Sequence, residues 1–249
     1  MGNPILPGAE PQSWPGGPGG ALVLHGFTGS PQSMRSLAQA LAGVGLAVEL
    51  PRLPGHGTSL DDMVPTRWEH WAEVAEEAYT GLAARCRGVI VVGLSMGGTL
   101  ACWLAARHPE VAGVVAVNPF VESPAPSFLD LLSGLADAGF EVAPTGIGSD
   151  IADPEASELT YEGTPIRAAM SLFEATASLD LAPIACPVLL FQSRQDHVVP
   201  PPSGDLLVRA TGGPVERVWL ERSYHVATLD YDHTEIESRT VAFARNMLG

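Results

Sequence analysis

Three residues far apart in the chain, Ser95, Asp196 and His225, are of the types needed for nucleophilic catalysis, and each falls just past a run of apolar residues. Ser95 is the centre of Gly93-Leu94-Ser95-Met96-Gly97, a G-x-S-x-G pattern set between the apolar run VIVVG and the helical pattern TLACWLAARH. A serine hydroxyl is a weak nucleophile at neutral pH and needs a base beside it, with a carboxylate to orient that base. Glycines two residues either side of the serine leave room for a sharp strand-to-helix turn that exposes the hydroxyl at the carboxyl edge of a sheet. The helix that follows offers free N–H groups to developing negative charge. Asp196 follows CPVLLFQS and His225 follows VERVWLE, so the order Ser, Asp, His and the placement after strands both suit this chemistry. Glu122, just past another strand, is an alternative acid. Of the other histidines, His197 adjoins the acid, His233 falls in the first turn of the last helix, and His56, His70 and His108 border unrelated elements.

A tetrahedral intermediate at Ser95 would need two hydrogen-bond donors, each worth about 2.7–4 kcal/mol. One candidate is the amide of Met96, next to the serine. The other is the amide of Phe27 in His25-Gly26-Phe27-Thr28-Gly29, which follows the first clear strand. His25 reads as a buried residue bracing that turn, because His225 is the better placed base.

The elements that must hold these residues alternate between short apolar runs and longer helical patterns, the signature of a mostly parallel sheet with helices on both faces. Strands are expected at 21–26, 46–51, 88–95, 111–119, 186–193 and 214–220. Ser30-Pro31 begins a helix that Gly43 and Gly45 end. Thr66 and Glu69 have capping-box spacing, as do Asp232 and Glu235. Trp68, Trp71, Ala75, Ala78, Tyr79 and Leu82 recur at helical spacing, which makes the tryptophans core residues. Residues 1–20, rich in proline and glycine, read as an irregular arm, and 21–249 as a single α/β domain. Between Phe120 and about Leu179 the alternation breaks, and an insertion of that length between sheet strands reads as a small lid over a site.

Composition excludes several other chemistries. All 13 positive residues are arginine, so a P-loop lysine, a Schiff-base lysine and a Ser-x-x-Lys pair are all absent. A formal charge of −15 disfavours nucleic acid and anionic bilayers and favours small neutral substrates. With 46% hydrophobic residues in 249, the chain has enough apolar side chains for one sizeable core. Cys86, Cys102 and Cys186 show neither disulfide nor zinc spacing, and no metal or organic cofactor is expected. The first twenty residues lack the charged and apolar regions of a signal peptide, and no run of apolar residues is long enough to span a bilayer, so a cytoplasmic protein with no integral membrane segment is expected.

Six stretches are similar to the α/β-hydrolase superfamily and, within it, to the bacterial monoacylglycerol lipase and thermostable carboxylesterase family: HGFTGSPQSMRSLA (25–38), LPRLPGHGTSLDDM (50–63), GLSMGGTL (93–100), IGSD (147–150), DHVVPP (196–201) and SYHVATLDYD (223–232). The resemblance implies a triad of Ser95, Asp196 and His225, oxyanion donors at Phe27 and Met96, and a lid over an acyl-chain pocket. It also implies, from the local match ELTYEGTP, that Glu158 meets the polar head of a glyceride. Residues 119–146 depart from the family pattern in length and composition. The implied reaction is hydrolysis of medium or long-chain monoacylglycerols or similar small carboxylic esters through an acyl-enzyme, with Phe128, Leu129, Leu132, Leu135 and Phe140 covering the chain. Two other readings use the same residues: an acyltransferase or thioesterase, and a ligand-binding relative without catalysis.

Overall fold

Alternate residues of the central strands belong to two separate apolar cores. Leu22, Leu24, Val89 and Val91 pack on one side, whereas Ala21, Val23, Ile90, Val92 and Leu94 pack on the other. A strand with both faces covered needs no polar alternation, which explains the unbroken apolar runs of the sequence. The computed structural model describes residues 3–144 and 149–249. Its elements in chain order are β1 (Gln12–Trp14), β2 (Gly19–Leu24), α1 (Arg35–Gly43), β3 (Ala47–Leu50), α2 (Leu60–Met63), α3 (Trp68–Ala83), β4 (Gly88–Leu94), α4 (Met96–Arg107) and β5 (Gly113–Val117). There follow α5 (Pro126–Asp137), β6 (Val142–Ala143), β7 (Thr164–Pro165), α6 (Ile166–Ala177), β8 (Val188–Ser193), α7 (Pro202–Ala210), β9 (Val215–Leu220) and α8 (His233–Leu248). A 3-10 turn over Pro31–Met34, capped by Ser30, precedes α1.

The seven-stranded sheet has the order β1-β3-β2-β4-β5-β8-β9, parallel except for β1. From β2 the chain moves outward to β3, then returns to place β4 on the other side of β2. Loops leaving the carboxyl ends of β2 and β4 therefore diverge, and an open α/β sheet binds its ligand in the crevice at such a point. Residues of α1 and α8 cover one face, while α3, α4 and α6 cover the other, with Trp71 fully buried among them.

Three local expectations are corrected. The lead-in is not irregular throughout, because Gln12–Trp14 pairs antiparallel with β3; Gly16 lets the chain return so closely that a Cβ there would lie 2.2 Å from the Ala47 nitrogen. Thr66 and Glu69 do not cap α3. The Thr66 hydroxyl donates to the Met63 carbonyl at 2.7 Å, and the helix starts one residue later, where the His70 ring accepts the Arg67 N–H at 2.9 Å. Asp232 does precede α8, but its carboxylate accepts the N–H groups of Arg222 and Ser223, both at 3.0 Å, and Glu235 pairs with Arg239 instead. Between β5 and β8, where the alternation of the sequence breaks, α5, the β6–β7 pair and α6 form. No helix among the described residues is long and apolar enough to cross a membrane.

Candidate active site

Ser95 has φ 54° and ψ −117°, a conformation that L-residues avoid. Close backbone contact imposes it. A Cβ on Gly93 would lie 2.0 Å from the Gly97 oxygen, one on Gly97 would lie 2.2 Å from the Leu24 oxygen, and one on Gly98 would meet Pro119 at 2.8 Å. Glycine at these positions brings β2, β4 and α4 together, with the serine at the apex. The Ser95 N–H donates to Val117 and the Ser95 carbonyl accepts from Thr99 and Phe120, so the turn is also tied to the end of β5.

The His25 ring joins two loops beside this turn. Its Nε2 accepts the Leu53 N–H at 3.1 Å, which leaves the proton on Nδ1, and Nδ1 donates to the Gly26 carbonyl at 2.9 Å. In a trans peptide the carbonyl and the next N–H point in opposite directions. By holding the Gly26 carbonyl toward itself, the ring therefore turns the Phe27 N–H away from itself. Among the described residues, neither the Phe27 nor the Met96 amide finds an acceptor. His25 is fully enclosed, and burial pushes its pKa down to about 4, so it stands neutral at physiological pH. His56, 4.9 Å away ring to ring, is held well below the usual histidine range by the same cause.

His225 Nδ1 lies 2.8 Å from Asp196 Oδ2, and both side chains are almost wholly buried. The other oxygen of Asp196 accepts the N–H groups of Val198 and Val199 at 2.9 and 2.8 Å, which orients the carboxylate toward the ring. A proton on Nδ1 leaves Nε2 free to accept. Glu122, the alternative acid, lines the larger apolar cavity, while the carboxylate bonded to His225 is that of Asp196, and His197 turns to Asp150. The His70 ring bonds the Arg67 N–H at the start of α3, His108 bonds Glu76 and Glu110, and His233 bonds the Asp230 carbonyl.

Several supporting residues were not singled out from sequence. Asn118, at φ 44°, donates to the His225 carbonyl at 2.8 Å and to Ser193 Oγ at 3.0 Å. Asp150 accepts the His225 N–H at 3.1 Å. Asp230 accepts four N–H groups, from Ala152, Asp153, Tyr224 and Tyr231. Their local signal is weak, because most of the partners lie 75 or more residues away in the chain. An asparagine directly after an apolar strand, a residue type that adopts positive φ more readily than most, is the signal that could have pointed to Asn118.

Two cavities meet at Ser95. The larger, of about 690 Å³, is lined by Phe27, Phe120, Phe128, Leu172, Phe173, Val198 and Val199, with Glu122, His197 and Ser203 among its polar residues. This is mostly apolar and of a size typical of small-molecule sites. Of the five apolar residues expected to cover a chain, only Phe128 lines it. Leu132 is buried in the core and Leu129 and Leu135 pack against it, as the helical spacing of α5 dictates, while Phe140, past the end of α5, is exposed. The smaller cavity, of about 20 Å³, is bounded by Ser95, His225, Gly26, Phe27, Leu94, Val226 and Glu158. The Glu158 carboxylate accepts the Ser149 N–H at 3.2 Å and fills the space beside Gly29, where a Cβ would lie 2.6 Å from it. Burial pushes the Glu158 pKa above the usual carboxylate range; the Ser149 N–H, His225 and Ser33 oppose that rise without cancelling it. Ile147 and Gly148 of the IGSD stretch lie outside the described residues.

All six predicted site residues thus converge: Ser95, His225, Phe27 and Glu158 on one small cavity, Asp196 behind His225, and Met96 next to Ser95. Residues 21–237 match the model of the alpha/beta hydrolase family. The chain is 44% identical over 244 residues to the thermostable monoacylglycerol lipase of Bacillus sp. (strain H-257), covering 96% of each. It is 25% identical to a carboxylesterase of Bacillus subtilis (strain 168), over 96% of this chain and 97% of that one. A solved structure described with the metagenome-derived lipolytic enzymes LipS and LipT superposes with a TM-score of 0.92 at 43% identity, covering 98% of this chain and 100% of that one. With its fold, its strained serine turn and these relatives in agreement, the chain belongs to the α/β-hydrolase family.

Proposed function

We propose that the protein is a serine ester hydrolase that cleaves medium or long-chain monoacylglycerols and similar small carboxylic esters. The observation that carries this reading is the convergence of Ser95 and His225 on one small cavity beside the unoccupied Phe27 amide, with Asp196 bonded to His225 at 2.8 Å. In this mechanism Ser95 Oγ attacks the ester carbonyl while His225 Nε2 takes its proton, and Asp196 stabilises the imidazolium. The carbonyl oxygen becomes an oxyanion that accepts from the Phe27 and Met96 amides. His225 then protonates the alcohol as it leaves. Water, deprotonated by the same ring, releases the acid from Ser95. Every proton is moved by His225, and the donors are backbone amides, so the mechanism has no need of lysine.

The acyl chain is assigned to the 690 Å³ cavity, where its methylenes would each contribute about 0.8 kcal/mol on burial. The alcohol is assigned to the side of Glu158, which borders the reacting atoms and can accept from or donate to a glycerol hydroxyl. The stretch 120–179 is then a lid inserted in a single domain, and the free thiols of Cys86, Cys102 and Cys186 suit a cytoplasmic setting. The likeness to a monoacylglycerol lipase at 44% identity supports the glyceride assignment. A panel of monoacylglycerols and simple alkyl esters of matched chain length tests it. Glu158→Ala is expected to remove a preference for glycerides while retaining ester hydrolysis; an unchanged preference would remove the head-group role.

A further inference from the structure

The acid and the base of the proposed triad sit on separate loops, after β8 and after β9. Their 2.8 Å hydrogen bond holds only while those loops keep their spacing. A carboxylate from a third segment bridges them. Asp150 Oδ2 accepts both the His225 N–H and the His197 N–H, each at 3.1 Å, while Oδ1 lies 2.8 Å from the His197 Nδ1. The Asp150 carbonyl also accepts the Val226 N–H at 3.0 Å. His197 directly follows Asp196, so one oxygen fixes the backbone at the base and one residue beyond the acid. The His197 ring closes the arrangement by meeting Tyr224 edge-on at 4.6 Å. The Asp150 side chain is only 16% exposed, which keeps water from competing for these bonds.

We propose that Asp150 is a positioning residue for the reaction. Its carboxylate cross-links the acid and base loops and so sets the geometry of the His225–Asp196 pair, coupling the middle of the insertion to the histidine that moves the proton. This rests on the serine hydrolase reading above. Asp150 does not itself line the apolar cavity, and of the two residues it holds only His197 reaches it, so its loss falls mainly on turnover. A displacement of even ~1 Å in a catalytic group costs on the order of 100-fold in rate.

Kinetics on a nitrophenyl ester with Asp150→Ala, Asp150→Asn and Asp150→Ser, alongside Ser95→Ala and His225→Ala, tests the assignment. Asp150→Ala removes the bridge and is expected to lower kcat by about 10- to 100-fold with KM within about twofold of the parent. Asparagine keeps an oxygen for the two N–H groups and can donate to the His197 ring, so Asp150→Asn is expected to recover kcat to within about threefold of the parent. The far-downfield proton resonance of His225 Nδ1–H is expected to shift or vanish in the alanine variant and to return in the asparagine variant. If the alanine variant does not fold, Asp150→Ser replaces it, because a short hydroxyl cannot span both N–H groups. Parental kcat in the alanine or serine variant would overturn the proposal, as would a rise in KM alone or a lower melting temperature with kcat and the resonance unchanged. Full activity in Ser95→Ala or His225→Ala would instead overturn the hydrolase reading itself, so the two failures are distinguishable.

Discussion

On the nucleophile side of the site, backbone meets backbone: Gly93, Gly97 and Gly98 approach Leu24 and Pro119 so closely that no side chain fits, and this contact holds Ser95 at φ 54°. On the base side, polar side chains do the holding. Asp150, Asp230, Asp232 and Asn118 take or give hydrogen bonds to the backbone between Arg222 and His225. The first arrangement is steric: its glycines fall within six residues and close on Leu24 and Pro119. The second is polar, and its hydrogen bonds reach from 6 to 107 residues along the chain. The difference predicts that the nucleophile side fails by overpacking and the base side by loss of hydrogen-bond acceptors.

The largest effect is expected from Gly97→Ala. Its Cβ would lie 2.2 Å from the Leu24 oxygen and 2.8 Å from the His25 oxygen, both backbone atoms that cannot swing aside. Either β2 or α4 must move, at a cost of about 3 kcal/mol or more. Esterase activity should fall at least ~100-fold, because the move displaces Ser95 from the Phe27 amide. Chemical denaturation and steady-state kinetics check this, and a variant of parental stability and rate would show that the close contact is not what fixes the turn.

Asp230→Asn comes next. Each Asp230 oxygen accepts two N–H groups, and an amide nitrogen in place of one oxygen would face two donors with nothing to give them. Leaving buried donors unpaired costs about 2 kcal/mol, read as a loss of roughly 4–8 °C in Tm. Turnover should fall with it, because Tyr224 adjoins His225. A thermal melt and kcat measured on one preparation suffice, and an unchanged kcat would separate Asp230 from the base loop.

The smallest effect concerns His25, a polar brace on the nucleophile side. Its pKa is about 4 when folded against 6.5 when free, so between those values the unfolded chain binds more protons than the folded one. Stability therefore rises with pH through this window and is lost on acidification from pH 6.5 toward 4, at about 1 kcal/mol per pH unit from His25. His56 adds in the same direction. Urea titrations at pH 7, 6 and 5 measure the slope, and His25→Asn should flatten it.

How legible the site was follows the same division. The turn at Ser95 could be read because its glycines and its serine share six residues, and the acid and base could be read because each directly follows an apolar strand. The web around His225 could not. Asp150 and His225 are 75 residues apart, and a carboxylate that accepts backbone N–H groups looks in sequence like any surface aspartate. Local competition explains the smaller misses. Thr66 spends its hydroxyl on Met63, and Asp232 spends its carboxylate on Arg222 and Ser223, so neither caps the helix it precedes. The strand at Gln12–Trp14 was hidden because its pairing is to β3, more than thirty residues on, and its flanking Pro/Gly pattern reads as coil.

The central claim is that Ser95, activated by His225, forms a covalent acyl-enzyme. Reaction with a p-nitrophenyl alkylphosphonate, followed by mass spectrometry of the intact protein and its peptides, tests it most directly. One alkylphosphonyl group per chain is expected on the peptide containing Ser95, with no adduct in Ser95→Ala and a much slower one in His225→Ala. An adduct on another residue, or hydrolysis of the matching carboxylic ester that persists undiminished in Ser95→Ala, would contradict the account.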